Sequence, residues 1–189
     1  RNGTLKKPLD RAEIHNTGVE VTRLGLGGAP LGGLYTDVGI AAAASTVLKA
    51  HELGVRYFDT APLYGSGRSE LAYAEALQHF ERDSFVISTK VGRVLVPVDS
   101  PPESENFVNL PAMEPVFDFS RDGVLRSLED SLERLGLDRI DIALIHDLDD
   151  NYQQAIGEAY PTLADLRSQG VIGAIGAGMN QWEMLADLA

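Results

Sequence analysis

Four residues of this chain have types and positions that could do chemistry together. Asp59 closes the apolar run Arg56-Tyr-Phe-Asp59, and Tyr64 follows on the loop Thr60-Ala-Pro-Leu-Tyr64-Gly65. Lys90 ends the run Phe85 to Lys90, and His146 ends Ile140 to His146. A phenol with a pKa of about 10 is a poor acid or base at neutral pH. A nearby ammonium favours the phenolate, and a carboxylate keeps that ammonium charged and in place. Asp59 and Lys90 are therefore expected to form a buried ion pair that tunes Tyr64. Such a pair is poor evidence for stability alone and better evidence for a site. Neutral His146 would orient a substrate oxygen or relay its proton. The set holds no nucleophile suited to acyl transfer. It fits proton exchange at an oxygen while hydride moves at carbon, the interconversion of a carbonyl and an alcohol. The hydride must come from a cofactor, because no side chain supplies one. Taken singly, each residue has a plainer reading: a turn aspartate, a packing tyrosine, a snorkelling surface lysine, a hydrogen-bonded core histidine.

Strand-like apolar runs must place these groups. The pattern predicts strands over Arg23–Ala29, Arg56–Thr60, Phe85–Val91, Ile140–His146 and Val171–Ala177. Helical periodicity is expected over Ile40–Leu53, Ser69–Phe80, Ser120–Leu135, Tyr152–Ser168 and from Gln181 onward. The third helix is the clearest: Ser120 reads as its N-cap, Asp122 suits the positive helix start, and Gly136 ends it. Gly54 and Gly170 mark two other helix ends. The alternation makes βαβ units of about 30 residues each. One connection, Gly92 to Asp118, is long and rich in proline, and it follows the strand bearing Lys90. It is expected to be a substrate-side lid, with disorder as the alternative.

A doubly wound nucleotide-binding sheet would carry G-x-G-x-x-G after its first strand. The glycine run here is Gly25-Leu-Gly27-Gly28-Ala-Pro30-Leu-Gly32-Gly33, and Pro30 occupies the sixth position, so that fingerprint fails. Close backbone packing and ligand contact both remain open for this run, with Gly28 its candidate cofactor contact. In a (β/α)8 TIM barrel, catalytic groups from several strands gather at the C-terminal strand ends, which is where Asp59, Lys90 and His146 fall. The expected fold is such a barrel, with about five of its βα units in one domain over residues 1–189. The chain starts at Arg1 rather than Met, and Ala189 falls inside an amphipathic run, so the barrel is expected to be cut short on its C-terminal side.

The stretch Gly54-Val-Arg56-Tyr-Phe-Asp59-Thr60-Ala61-Pro-Leu-Tyr64-Gly65, with Ser88-Thr89-Lys90 and Leu144-Ile145-His146, resembles the aldo-keto reductase family. Within it, Ser66-Gly-Arg-Ser-Glu70, Pro115 to Val124 and Gly178-Met-Asn-Gln-Trp-Glu183 look most like the branch of L-fucose and D-threo-aldose dehydrogenases, with pyridoxal dehydrogenases nearby. The resemblance implies an oxidoreductase using NAD or NADP on an aldose or another aldehyde or alcohol. It implies Tyr64 as general acid/base, Asp59 and Lys90 as its tuning pair, and His146 as the group that orients the carbonyl. It places Asp59 and Gly28 on the cofactor side and gives Asn180 the nicotinamide carboxamide. The chain departs from the family at the fifth strand, where Gly173 stands in a position usually basic and Gly176-Ala-Gly178-Met179-Asn180 replaces Gly-x-Ser-Asn.

Composition excludes several other classes. A net charge of -12 without a basic stripe argues against a nucleic acid partner. The absence of cysteine removes disulfides, thiolate zinc sites and thiol nucleophiles. No apolar run is long enough to cross a bilayer, and a cytoplasmic setting with a small-molecule partner is expected. Two alternatives accompany the enzyme reading. One is a regulatory barrel that binds cofactor without turnover. The other is a metal-assisted aldolase or hydrolase using His146 and the acidic run Asp147-Leu-Asp149-Asp150, a run that also reads as a solvated loop. His15, His51 and His79 are expected to be structural, Trp182 to pack, and Tyr35 to lie on a surface loop or line the pocket.

Overall fold

A computed structural model describes residues 7–188. The chain opens with an antiparallel hairpin, β1 (Arg11–Glu13) and β2 (Glu20–Thr22). Strand–helix units follow: β3 (Leu26–Gly27) with α1 (Ile40–Glu52), and β4 (Tyr57–Asp59) with α2 (Arg68–Leu77). Next come β5 (Val86–Val91), a second hairpin of β6 (Arg93–Pro97) and β7 (Met113–Phe117), and α3 (Arg121–Leu135). The chain continues through β8 (Ile142–His146), α4 (Tyr152–Gln154), a π-helical stretch Ala155–Ala159 and α5 (Tyr160–Ser168), and then β9 (Ala174–Gly178) and α6 (Trp182–Leu188). Strands β3, β4, β5, β8 and β9 pair in that order, and every pairing is parallel. A doubly wound sheet reverses its strand order at a switch point. Here the order runs one way only, as adjacent staves of a (β/α)8 barrel do.

Apolar burial holds the helices on the sheet. Phe58, Ile87, Val91, Ala143 and Ile145 face Tyr73, Leu77, Val124, Leu128 and Leu163 in one core. Each large apolar side chain buried this way stabilises the fold by about 2 kcal/mol. The fully buried Tyr73 keeps its hydroxyl satisfied by donating to the Leu26 carbonyl at 2.7 Å, which ties α2 to β3. Glu70, also fully buried, accepts from Arg134 Nε at 2.6 Å and Thr89 Oγ1 at 2.9 Å, so α2, α3 and β5 share one charged joint. The capping of α3 is as the sequence predicts. Ser120 Oγ accepts from the Gly123 N–H at 3.1 Å, and Gly136 ends the helix at a left-handed φ of 64°.

Three expectations need correction. The hairpins were not anticipated. The Gly92–Asp118 connection is largely a two-stranded ribbon, in which Pro115 pairs opposite Leu95. A ribbon has a free edge on each strand, so a proline without an N–H is tolerated there. The expected single helix over 152–168 is interrupted by the π-helical stretch just before Pro161, where the Tyr160 N–H reaches back to the Ala155 carbonyl. Proline offers no N–H to the ladder and crowds the carbonyl four residues earlier, which widens the turn. Trp182, expected to pack, is 70% exposed. The first hairpin lies beneath the strands, with the Arg56 N–H bonded to Thr22 Oγ1 at 3.0 Å. A side chain at Gly173 would come within 2.6 Å of Val19 on that hairpin.

Candidate active site

Strand register brings the predicted groups together. Asp59 lies opposite Ser88, Lys90 opposite Leu144, and His146 opposite Gly178. Lys90 is two residues beyond Ser88, and His146 is two beyond Leu144, so the alternation of strand side chains keeps Asp59, Lys90 and His146 on one face. The stagger along the strands is the shear that a barrel needs.

At one end of this row, Lys90 is only 5% exposed and its ammonium is fully engaged. Nζ donates to Asp59 Oδ1 at 2.9 Å, to Oδ2 at 2.8 Å and to the Thr60 carbonyl at 2.9 Å. Those are the three donors that an ammonium has. Ser88 Oγ donates to Asp59 Oδ1 at 2.6 Å and lies 3.2 Å from the Tyr57 hydroxyl. Gly178 leaves room for the lysine stem, because a Cβ there would sit 3.1 Å from Lys90 Cε.

Tyr64 stands on the loop after β4. Gly65 follows it at a φ of 66°, with no space for a side chain against the Gly32 backbone. This close loop-to-loop contact fixes where Tyr64 can point. The Lys90 ammonium lies 4.8 Å from the centre of the Tyr64 ring. The His146 ring meets Tyr64 edge-on at 5.9 Å, and Phe107 stacks beside it at 6.3 Å. All four predicted groups therefore meet in one place.

His146 is 6% exposed, and among the described residues its buried Nδ1 has no partner. Burial above all, and then the positive charges of Lys90 and Arg93, push its pKa down to about 3. The imidazole is neutral at physiological pH. Its Nε2 lies 3.5 Å from Asp147 Oδ2.

A cleft of 430 Å³ opens over this row, lined by Tyr64, Lys90, His146, Asp147, Phe107 and Asn180, with Tyr35 at its edge. Gly28 is not among the lining residues. A side chain there would strike the Asp59 carbonyl and the Tyr73 ring, so close packing accounts for this glycine. The Pro-rich connection, expected to be a substrate-side lid, lines this cleft with Asn106 and Phe107 as a pinned wall. Leu34 bridges to Phe107, and Arg68 Nη1 donates to the carbonyls of Val108 at 2.9 Å and Asn109 at 3.1 Å. Asp37 joins Arg68 at 2.5 Å and Asn109 at 2.9 Å, and these bonds hold its carboxyl below the usual range. A larger apolar cleft of 520 Å³ runs between β9 and α6, and its lining is aliphatic apart from Tyr160 and Asp187. Among the described residues, no three His, Asp or Glu side chains converge as a metal ion would need.

Sequence reasoning missed Arg93 and passed over Asp147 except as part of an acidic run. Arg93 Nη2 donates to Asp147 Oδ2 at 2.7 Å, and its guanidinium lies 4.0 Å from the Phe117 ring centre. Arg93 stands in a stretch whose prolines read as loop, and the ribbon brings it beside Asp147.

Residues 23–188 match the Aldo/keto reductase family, and the chain belongs to that family. It is 38% identical to a pyridoxal 4-dehydrogenase of Microbacterium luteolum, over 96% of this chain and 58% of that protein. It is also 38% identical to a D-threo-aldose 1-dehydrogenase of a Pseudomonas species, over 85% of this chain and 51% of that protein. A solved aldo-keto reductase of Pseudomonas aeruginosa superposes with a TM-score of 0.70 at 34% identity, covering 89% of this chain and 60% of that one. The chain thus spans about half the length of the curated relatives it matches.

Proposed function

We propose that this chain carries the acid–base centre of a nicotinamide-dependent oxidoreductase, which moves hydride between NAD or NADP and an aldose or related aldehyde or alcohol. One observation carries the reading: the Lys90 ammonium is gripped by both oxygens of Asp59 and lies 4.8 Å over the Tyr64 ring. The names of the two relatives, both dehydrogenases, support it.

The residues present fit a nicotinamide. The cleft volume of 430 Å³ lies in the usual range for small-ligand sites. Gly178 keeps a shallow floor over the Lys90 stem, where a side chain would intrude. Asn180, exposed at the rim, offers the donor and acceptor that a carboxamide complements. When bound, the nicotinamide supplies or accepts the hydride. Tyr64 exchanges the proton with the substrate oxygen. The Lys90 ammonium is the counter-charge for the phenolate left behind, and Asp59 fixes that ammonium in place. His146, neutral, donates an imidazole N–H to the same oxygen. Phe107 and the pinned wall keep water from the reacting atoms. The proposed partner is a small carbonyl or sugar molecule, and the proposed setting is the cytoplasm.

Tyr64→Phe tests the reading in the intact protein. Turnover, followed by nicotinamide absorbance with aldoses and pyridoxal, should be abolished. Cofactor affinity, measured by fluorescence titration, should be nearly unchanged. Undiminished turnover removes Tyr64 from its role.

A further inference from the structure

The turn after β8 holds a residue that the proton-transfer set does not use. Strand alternation would send the residue after His146 away from the cleft. Asp147 instead adopts a left-handed φ of 45°, a conformation that aspartate tolerates but most residues avoid. Its N–H donates to the Gly178 carbonyl at 2.9 Å, which locks the reversal onto the exit of β9. Two consecutive side chains, His146 and Asp147, therefore line the same cleft. Backbone strain of this kind persists where surrounding structure enforces it, and it concentrates at ligand-binding positions.

The carboxylate is also oriented. Arg93, itself largely buried at 15% side-chain exposure, binds Oδ2 at 2.7 Å and fixes the direction of the group. His146 Nε2 approaches the same oxygen. Among the described residues Oδ1 takes part in no hydrogen bond, while the side chain keeps 26% of its surface open. Two aromatic rings, Tyr64 and Phe107, line the same cleft. A fixed carboxylate with one unused oxygen, in a cleft shared with aromatic rings, is a hydroxyl acceptor. It suits a substrate with an apolar C–H edge and hydroxyls beside the reacting carbon.

We propose that Asp147, held by Arg93, is a specificity residue that accepts a hydrogen bond from a substrate hydroxyl next to the reacting carbon and so selects polyhydroxylated substrates over plain aldehydes. This inference rests on the oxidoreductase reading of the same cleft. Its test is the ratio of kcat/KM for glyceraldehyde to that for propanal, two three-carbon aldehydes that differ by two hydroxyls, measured as reduction by NADH or NADPH in the intact protein. A hydrogen bond to a charged acceptor corresponds to about a 10- to 100-fold preference. Asp147→Gly, which removes the carboxylate and suits the left-handed backbone, should lower the ratio by about that factor. Asp147→Asn, isosteric and tolerant of the same φ, should lower it less and keeps the test alive if the glycine variant fails to fold. A ratio unchanged in both variants overturns the inference and leaves the oxidoreductase reading intact, and so does an equal loss on both aldehydes. If the unmodified protein turns over neither aldehydes nor aldoses, the parent reading falls and takes this one with it.

Discussion

At the Asp59–Lys90 end of the cleft every hydrogen of the ammonium has an acceptor, and Ser88 backs the carboxylate. At the His146–Asp147 end, the buried His146 Nδ1 and Arg93 Nε have no partners among the described residues, and the backbone is held in a left-handed turn. The first end is complete before any ligand arrives. The second carries unmet hydrogen-bonding capacity and strain, which only a well-packed surround can maintain. A site that must keep one proton donor ready and also accept differing substrates gains from this division. In the proposed function, the saturated end sets the chemistry and the unsaturated end meets the ligand.

The division can be broken first at its rigid end. Lys90→Met leaves Asp59 without its counter-charge, and removing one partner of a buried pair costs about 3–5 kcal/mol. The upper part of that range does not apply, because Asp59 keeps 26% of its side chain in solvent. Turnover should fall by about 1000-fold, the scale of a lost acid–base contribution. The double variant Asp59→Leu with Lys90→Met should regain stability in urea melts without regaining turnover. A double variant as unstable as the single one would show that packing, not charge, dominates this end.

The second test sharpens the other end through pH. His146 has its pKa depressed to about 3, so the folded protein stays unprotonated there while the unfolded chain takes up a proton below about 6.5. Stability should therefore fall as pH drops from about 6.5 towards 3, by up to about 5 kcal/mol across the window, and be unaffected by this residue above it. His146→Gln should flatten that dependence in thermal melts taken between pH 4 and 7. The same depression predicts that the acid limb of kcat/KM lies well below pH 6.5. A limb centred near 6.5 and lost in His146→Gln would contradict it.

The smallest expected effect lies in the wall. Arg68→Ala cuts the links to Asp37, Val108 and Asn109, so Phe107 should lose its fixed place beside Tyr64. The substrate KM should rise about fivefold, the cost of about 1 kcal/mol, with kcat largely kept. A kcat loss as large as that of Lys90→Met would place Arg68 in the saturated end instead.

Much of the row of ionisable groups was legible in the sequence, the saturated end entirely and His146 at the other. Asp59, Lys90 and His146 each close an apolar run, and a parallel sheet brings strand ends to one rim. The rest depended on what a linear pattern does not carry. Alternation predicts that Asp147 points away from His146, and only the positive φ reverses it. Arg93 is hidden among prolines, because a ribbon tolerates Pro115 where a central strand would not. Glycine runs serve both close packing and ligand contact, and at Gly28 Tyr73 and the Asp59 carbonyl fill the space that a side chain would need. The strand beginning at Arg23 was overextended, since only Leu26–Gly27 pair with β4.

The two-residue offset between neighbouring strands has a consequence for how this protein can change. Deleting or inserting one residue within Val86–Val91 would turn Lys90 out among the helices and bring Thr89 into the cleft, even though every apolar residue was kept. Length changes inside these strands should survive selection only in pairs, whereas the loops between them are free to vary by single residues.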